Sequence, residues 1–233
     1  MTSNLRRYVL TVILALAGGF AGAALWSASG MADKRTEAFL LGTPDLLPRM
    51  AEAYERDQGA ARLAEAGGAV TTPFPGAVLG NPQGTVTLVE FTDYACGYCR
   101  QSQTIVEQLI ARNPDLKVVI REWPIFEGSD QAARMALAAA KQGKYGAFHN
   151  GLYAAGRPTE ASIARVAAAA GIDMAAARQF AGSQEASFEL ARNADLAQKL
   201  GFSGTPSWVI DGRTIEGAVP EAALQQAIEE ARK

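Results

Sequence analysis

The only two cysteines in this 233-residue chain sit three positions apart, in Cys96-Gly97-Tyr98-Cys99. Thiols at that spacing either exchange electrons through a disulfide or supply half of a metal site. Residues i and i+3 of a helix share a face, with Cβ atoms about 5–6 Å apart. Small rotations then bring the sulfurs to bonding distance, so the pair can open and close without moving the fold. A structural zinc would need four ligands, commonly Cys and His. The chain offers two Cys and one distant histidine, His149, which is read as structural or surface. Redox use is therefore expected, with no metal site and no cofactor. Cys96 comes first, nearest the helix end, where free N–H groups and the dipole favour a thiolate. It is the expected nucleophile, and Cys99, one turn further in, is the expected resolving thiol.

The flanking segments must hold this pair. Val86–Phe91 reads as a buried strand and Arg100–Arg112 as a helix, with Leu116–Glu122 as a second strand. A helical crossover makes those two strands parallel. Helical patterns follow over 130–142, 145–154, 159–170, 173–181 and 185–200, the last ending at Gly201, a usual C′ residue. Asp211-Gly212 between Trp208–Ile210 and Arg213–Glu216 is a strong hairpin signal. Residues 221–233 form an amphipathic helix with Leu224, Ala227 and Ile228 inward. The order β-α-β, helical block, β-β-α gives the fold class: α/β, thioredoxin-like, over 77–233, with a helical insertion at about 127–201. The chain shows no internal repeat, and its length supports a core without disulfide staples.

The N-terminus carries a different message. Arg6 and Arg7 precede an uncharged run from Tyr8 to Ala32, whose apolar part, Tyr8 to Trp26, is about long enough to cross a bilayer. Basic residues before the run and none just after it place the bulk of the chain outside the cytoplasm. Residues 1–32 are thus a signal anchor or a cleaved signal peptide, with small-residue candidate sites at Ala21-Gly22-Ala23 and Ser27-Ala28-Ser29. The length of the run favours the anchor. Exported proteins often carry structural disulfides. Here both cysteines belong to one adjacent pair, which argues for a working disulfide.

Residues 33–66 read as a helical segment, with Thr43-Pro44 as N-cap and first helical residue. Leu46, Leu47, Met50 and Tyr54 recur at helical spacing. So small a stripe cannot form a core alone, so the segment packs on the main domain or on copies of itself. Residues 67–76, rich in Gly and Pro, read as a linker. A net charge of −2 gives no electrostatic case for nucleic acid.

The combination of motifs resembles the DsbA-like family of exported thiol–disulfide oxidoreductases. Gly80-Asn81-Pro82, the run from Val89 through Cys99, Glu122-Trp123-Pro124-Ile125, Gln142-Gly143-Lys144-Tyr145 with Phe148-His149, Gly204-Thr205-Pro206-Ser207 and Gly217-Ala218-Val219-Pro220 carry the likeness. Residues 33–66, with Phe39 to Asp45, resemble the N-terminal segment of the suppressor-of-copper-sensitivity subgroup. The resemblance implies that Glu90 is a buried acid beneath the site, where a raised pKa suits it to accept the resolving thiol's proton. It implies that Pro206 is cis and lies beside the disulfide. Thr205 would offer its backbone to a client strand, with Gly97 and Tyr98 also facing the client. Asp93, Tyr94 and Tyr98 are expected to rim the site. The Gly97-Tyr98 dipeptide lacks the histidine of the strongest oxidants, so a less extreme nucleophile is expected.

The leading function is therefore an exported enzyme that forms, reduces or isomerises disulfides in client proteins. A redox partner, not identifiable from the sequence, would recycle it, and it would sit on the membrane and possibly form a homo-oligomer. The alternative is a copper-binding or copper-tolerance protein using the same two thiols, since soft thiolates suit Cu(I). A dedicated reductant for cytochrome maturation is a third reading.

Overall fold

The computed structural model describes residues 2–233, which divide into two compact units, one running to Tyr54 and the other covering Glu55–Lys233.

The first unit contains α1 (Thr2–Ala28), α2 (Met31–Gly42) and the first part of α3 (Leu46–Ala66). Within α1, Leu5–Ala28 is long and apolar enough to cross a membrane, and none of it is buried. The start of α3 differs from the sequence reading. Thr43 closes α2, its N–H bonding Leu40 O, and α3 begins only at Leu46. Thr43 is occupied by the helix before it, so it cannot cap the one after. Leu47, Met50 and Tyr54 form an exposed stripe on α3.

The second unit is an α/β domain. Its strands are β1 (Val78–Gly80), β2 (Val86–Thr92), β3 (Leu116–Glu122), β4 (Ser207–Ile210) and β5 (Arg213–Glu216). They form one sheet in the order β1-β3-β2-β4-β5, in which β2 and β3 are parallel and every other pairing is antiparallel. Between β2 and β3 lies α4 (Gly97–Arg112). Between β3 and β4 come α5 (Asp130–Lys141), α6 (Tyr145–Ala154), α7 (Glu160–Ala169), α8 (Met174–Ala181) and α9 (Gln184–Leu200), and α10 (Glu221–Glu230) closes the chain. This is the expected thioredoxin-like fold with its helical insertion. The three-residue β1 is an addition, too short to display strand alternation.

Central strands covered on both faces read as continuous apolar runs, and β2 is buried on both. Leu88 and Ile120 point into the larger core with Cys99, Val106 and the insertion helices. Val89, Phe91 and Val119 point into a smaller core with Leu196, Leu200 and Phe202. The helix boundaries follow local chemistry. Thr159 caps α7 in a reciprocal capping box with Ser162, and Asp173 caps α8 through Ala175 and Ala176 N–H. Gly201 ends α9 in the left-handed conformation at φ 77°.

The segment 67–76 is packed rather than free. Val70 and Phe74 are buried in it. Arg121, on β3, is fully buried and donates to the carbonyls of Ala69, Val70 and Thr72, and to Glu189 and Asn193 of α9. Burial pulls its pKa down to about 10, against the nearby Glu189 charge. The end of α3 packs here as well. Gly59 is buried where a Cβ would lie 2.4 Å from Thr214 Oγ1 of β5, so only glycine allows that approach. Arg62 donates to Leu200 O.

Candidate active site

Helix α4 starts at Gly97, three residues earlier than the sequence pattern indicates, so the Cys-x-x-Cys motif is itself the helix's first turn. Cys96 is the N-cap, and its sulfur accepts the Cys99 N–H at 3.4 Å. The N-cap sulfur thus sits where unsatisfied helix N–H groups and the dipole favour negative charge. Both thiols are free, and both residues are buried. Their acidities diverge. Hydrogen bonding from the Cys99 thiol, reinforced by the N–H groups of Cys99 and Tyr98, brings Cys96 down to about 5 against the effect of burial. Burial first, then the bond to Cys96 and the Glu90 charge, push Cys99 far up. One sulfur is poised as a thiolate at neutral pH and the other is held as a thiol. A pKa near 5 falls between thioredoxin (about 7) and DsbA (about 3.5).

The loop before β4 meets this pair. The Thr205–Pro206 peptide is cis. Cys96 Sγ lies 3.2 Å from Thr205 O. Gly217 N–H bonds Pro206 O at 2.9 Å and Trp208 Nε1–H bonds Gly217 O at 3.0 Å, which ties the loop to the end of the β4–β5 hairpin. Next to Cys96 in the chain, Gly97 and Tyr98 are exposed, and so are Ile125 and Phe126 of the loop after β3.

Glu90 is buried in the middle of β2, paired with Ile120 of β3 on one side and Trp208 of β4 on the other. Burial raises its pKa to about 8, with the Thr92 hydroxyl opposing and the Glu122 and Cys96 charges adding. A buried carboxyl of that acidity near two sulfurs is suited to proton transfer near neutral pH.

Asp93 and Tyr94 do not rim the site. Asp93 is buried and acts as a socket for the loop after β3. Its Oδ2 accepts from Ile125 N–H, Phe126 N–H and Ser129 Oγ–H at 2.7, 2.9 and 2.7 Å, and its Oδ1 accepts Ala95 N–H at 2.7 Å. Tyr94 is fully buried, with its hydroxyl in a 2.9 Å hydrogen bond with Glu122 Oε1. His149 is buried rather than on the surface, 2.8 Å from the Tyr94 hydroxyl through Nδ1 and 3.0 Å from Gln103 Oε1 through Nε2. Burial lowers its pKa to about 3, so it is neutral. Glu122, at the end of β3, is a second buried acid that the sequence reading used only as a motif letter. Burial raises it to about 8 against the Tyr145 and Tyr94 hydroxyls. Its place at the buried end of β3, where the apolar run Val118–Ile120 gives way to Arg121 and Glu122, is the signal that points to it. Among the described residues, no group of three or more His, Cys, Asp or Glu side chains is placed to hold a metal.

Residues 87–229 match the DSBA-like thioredoxin domain. The chain belongs to the DsbA-like family. Its fold aligns with a thioredoxin-like oxidoreductase from Silicibacter pomeroyi DSS-3 at TM-score 0.67 and 42% identity, covering 71% of this chain and 97% of that one. It aligns with a linker-deleted, singly substituted Proteus mirabilis ScsC at TM-score 0.69 and 25% identity, covering 86% and 94%. Among curated proteins, a Na(+)/H(+) antiporter NhaA 3 of Salinispora tropica is 30% identical over 157 residues, 65% of this chain. The chain spans only 24% of that antiporter's length. As a DsbA/ScsC-like member it is an extracytoplasmic, thiol-oxidoreductase-like protein whose closely spaced Cys96–Cys99 pair is consistent with a redox-active dithiol, and its N-terminal apolar helix is suited to membrane anchoring.

Proposed function

We propose that this DsbA-like protein forms and isomerises disulfides in exported client proteins, with Cys96 as nucleophile and Cys99 as resolving thiol. The opposed acidities of the two sulfurs carry this reading. In oxidation, a client thiolate attacks Cys96 of the Cys96–Cys99 disulfide and expels Cys99 as the leaving thiol, which takes a proton from Glu90. A second client thiolate then attacks the mixed disulfide and releases reduced Cys96. In isomerisation, the reduced Cys96 thiolate attacks a wrong client disulfide. The client's own thiol then attacks the client sulfur of the mixed disulfide, forms a new client disulfide and releases the Cys96 thiolate. Alternatively Cys99, after losing its proton to Glu90, attacks Cys96 Sγ, expels the client thiol and leaves the client reduced with Cys96–Cys99 oxidised. Thr205 and Pro206 line the approach to Cys96, with the Thr205 backbone receiving a client strand. Gly97 and Tyr98 complete the client-facing surface.

The α3 stripe of Leu46, Leu47, Met50 and Tyr54 favours a homo-oligomer. Several Cys96 thiols around one client favour isomerisation over simple oxidation. Helix α1 stays uncleaved and anchors the protein in the inner membrane, and a separate redox partner recycles it. Trapping tests the roles directly. Cys99→Ala accumulates client mixed disulfides on non-reducing gels and Cys96→Ala accumulates none. Adducts on Cys99 instead would reverse the assignment. The reduction potential tests the activity, and a value between about −120 and −270 mV is expected. A potential at or below the lower figure would make the protein a dedicated reductant.

A further inference from the structure

The pocket behind the thiols holds two carboxyls, and the exchange chemistry above uses one. Glu90 and Glu122 lie on adjacent parallel strands, where Thr92 of β2 pairs with Glu122 of β3. Alternation puts Glu90, Thr92, Ile120 and Glu122 on the sheet face that Leu88 and Ile120 share with Cys99. We propose that Glu122 is a positioning residue of the redox site: its burial and the shortage of protons around it keep it protonated at neutral pH, so Glu90 is the one carboxyl of the pocket that exchanges its proton with Cys99. The proposal rests on Glu90 serving Cys99 as described above.

A count of protons supports it. Four polar atoms form a closed ring. The Tyr94 hydroxyl is 2.9 Å from Glu122 Oε1 and 2.8 Å from His149 Nδ1, and the Tyr145 hydroxyl is 2.7 Å from Oε1 and 3.2 Å from Nδ1. The histidine adds no proton to the ring. Gln103 uses its amide N–H on Asn150, so its oxygen faces His149 Nε2, and Nε2 must carry the hydrogen. With Glu122 ionised, two phenolic protons serve four contacts. With Glu122 protonated, Oε1–H donates to Tyr94, Tyr94 donates to Nδ1 and Tyr145 donates to Oε1. The contact left without a proton is then the longest, Tyr145 to Nδ1. Glu122 Oε2 is buried with no hydrogen-bonding partner, a poor setting for a carboxylate. Around this acid, the loop after β2 contributes Asp93 and Tyr94, β2 contributes Glu90, and α6 contributes Tyr145 and the neutral His149. The cation next to it in sequence, Arg121, is committed to Glu189 and the carbonyls of residues 69–72. Among the described residues, Glu122 therefore has negative and neutral neighbours and no cationic partner.

If Glu122 ionises at alkaline pH, its charge holds the proton on Glu90 and disfavours the Cys99 thiolate. A chromogenic aromatic disulfide separates the two steps: Cys96 attack releases one coloured thiol and Cys99 resolution releases the second. In the wild type, the second phase should fall as pH rises past about 8, where Glu122 ionises. Glu122→Gln cannot ionise and should lose that fall, exceeding the wild type by about threefold or more at the alkaline end. Infrared difference spectra at neutral pH should lose a protonated-carboxyl band in Glu122→Gln. A Glu122→Gln profile that tracks the wild type, or no lost band, overturns the proposal. Tyr145→Phe gives a second test should Glu122→Gln not fold. It removes a donor to the carboxylate, so the alkaline fall should move to higher pH, and a fall that stays or moves lower overturns the proposal. Glu90→Gln keeps the two readings apart. A second phase unchanged at every pH would sink the Glu90 role, while the infrared band would still report the state of Glu122.

Discussion

Up to Tyr54 no described side chain is buried, whereas from Glu55 onward the chain builds two cores on opposite faces of one sheet. The two regions do not differ simply in apolar content. Helix α1 is long and apolar enough to cross a membrane, yet Leu14, Leu16 and Phe20 are all exposed. In the second unit, comparable residues are covered by elements far apart in sequence. The difference teaches that hydrophobicity in this protein has two destinations: the protein's own interior for one unit and, on the function proposed above, a bilayer or other copies for the other.

Four variants can break or sharpen that contrast. The largest effect belongs to Cys96→Ala, which should reduce disulfide exchange to the uncatalysed level, measured with a small chromogenic disulfide. Next is Glu90→Gln, which should slow the resolving step on the order of 10²-fold in the same assay, within the usual range for a general acid or base. Glu90 also sets a stability trend. Its folded pKa is raised from 4.5 to about 8, so the stability it contributes is present below about 4.5 and lost as pH rises through 8. Chemical denaturation of Glu90→Gln against pH should lack that loss. Third, Arg121→Ala should cost about 3–5 kcal/mol, because it strands Glu189 and three carbonyls in a buried site. Urea melts of the full chain would measure this. The smallest effect tests the other unit. Replacing Leu47, Met50 and Tyr54 by Ser should leave the unfolding free energy of the second unit within about 0.5 kcal/mol. The same change should convert any oligomer to monomer by light scattering. A large loss of stability would show that the stripe is covered within its own chain.

How much the sequence disclosed follows from where each signal lives. The β2 and β3 strands, the Asp211-Gly212 hairpin and the Thr159 cap are specified by neighbouring residues, and the structure contains them within a residue or two. The Cys96–Cys99 pair and the buried position of Glu90 are legible for the same reason: spacing and an apolar setting place them. Residues 67–76 are misleading because Arg121, which holds the carbonyls of Ala69, Val70 and Thr72, lies about fifty positions further along. A Gly- and Pro-rich composition reports local stiffness and says nothing about a distant guanidinium. The ring of Tyr94, Glu122, Tyr145 and His149 is equally silent in sequence, since its members come from three separate segments. Thr43-Pro44 fails differently. Two helix-start residues stand together, but the preceding helix uses the first of them.

The Asp93 carboxylate has a consequence for anyone wishing to redesign this surface. Two of the bonds it makes to the loop after β3 use main-chain N–H groups, those of Ile125 and Phe126, and the third uses Ser129. The side chains of Ile125 and Phe126 take no part in those bonds and are exposed to solvent. The loop is thus a cassette with a fixed plug and two interchangeable tips. Its chemical character can be rewritten at positions 125 and 126, apolar to acidic or basic, without disturbing what seats it. Client preference could then be varied separately from the reactivity of the two sulfurs.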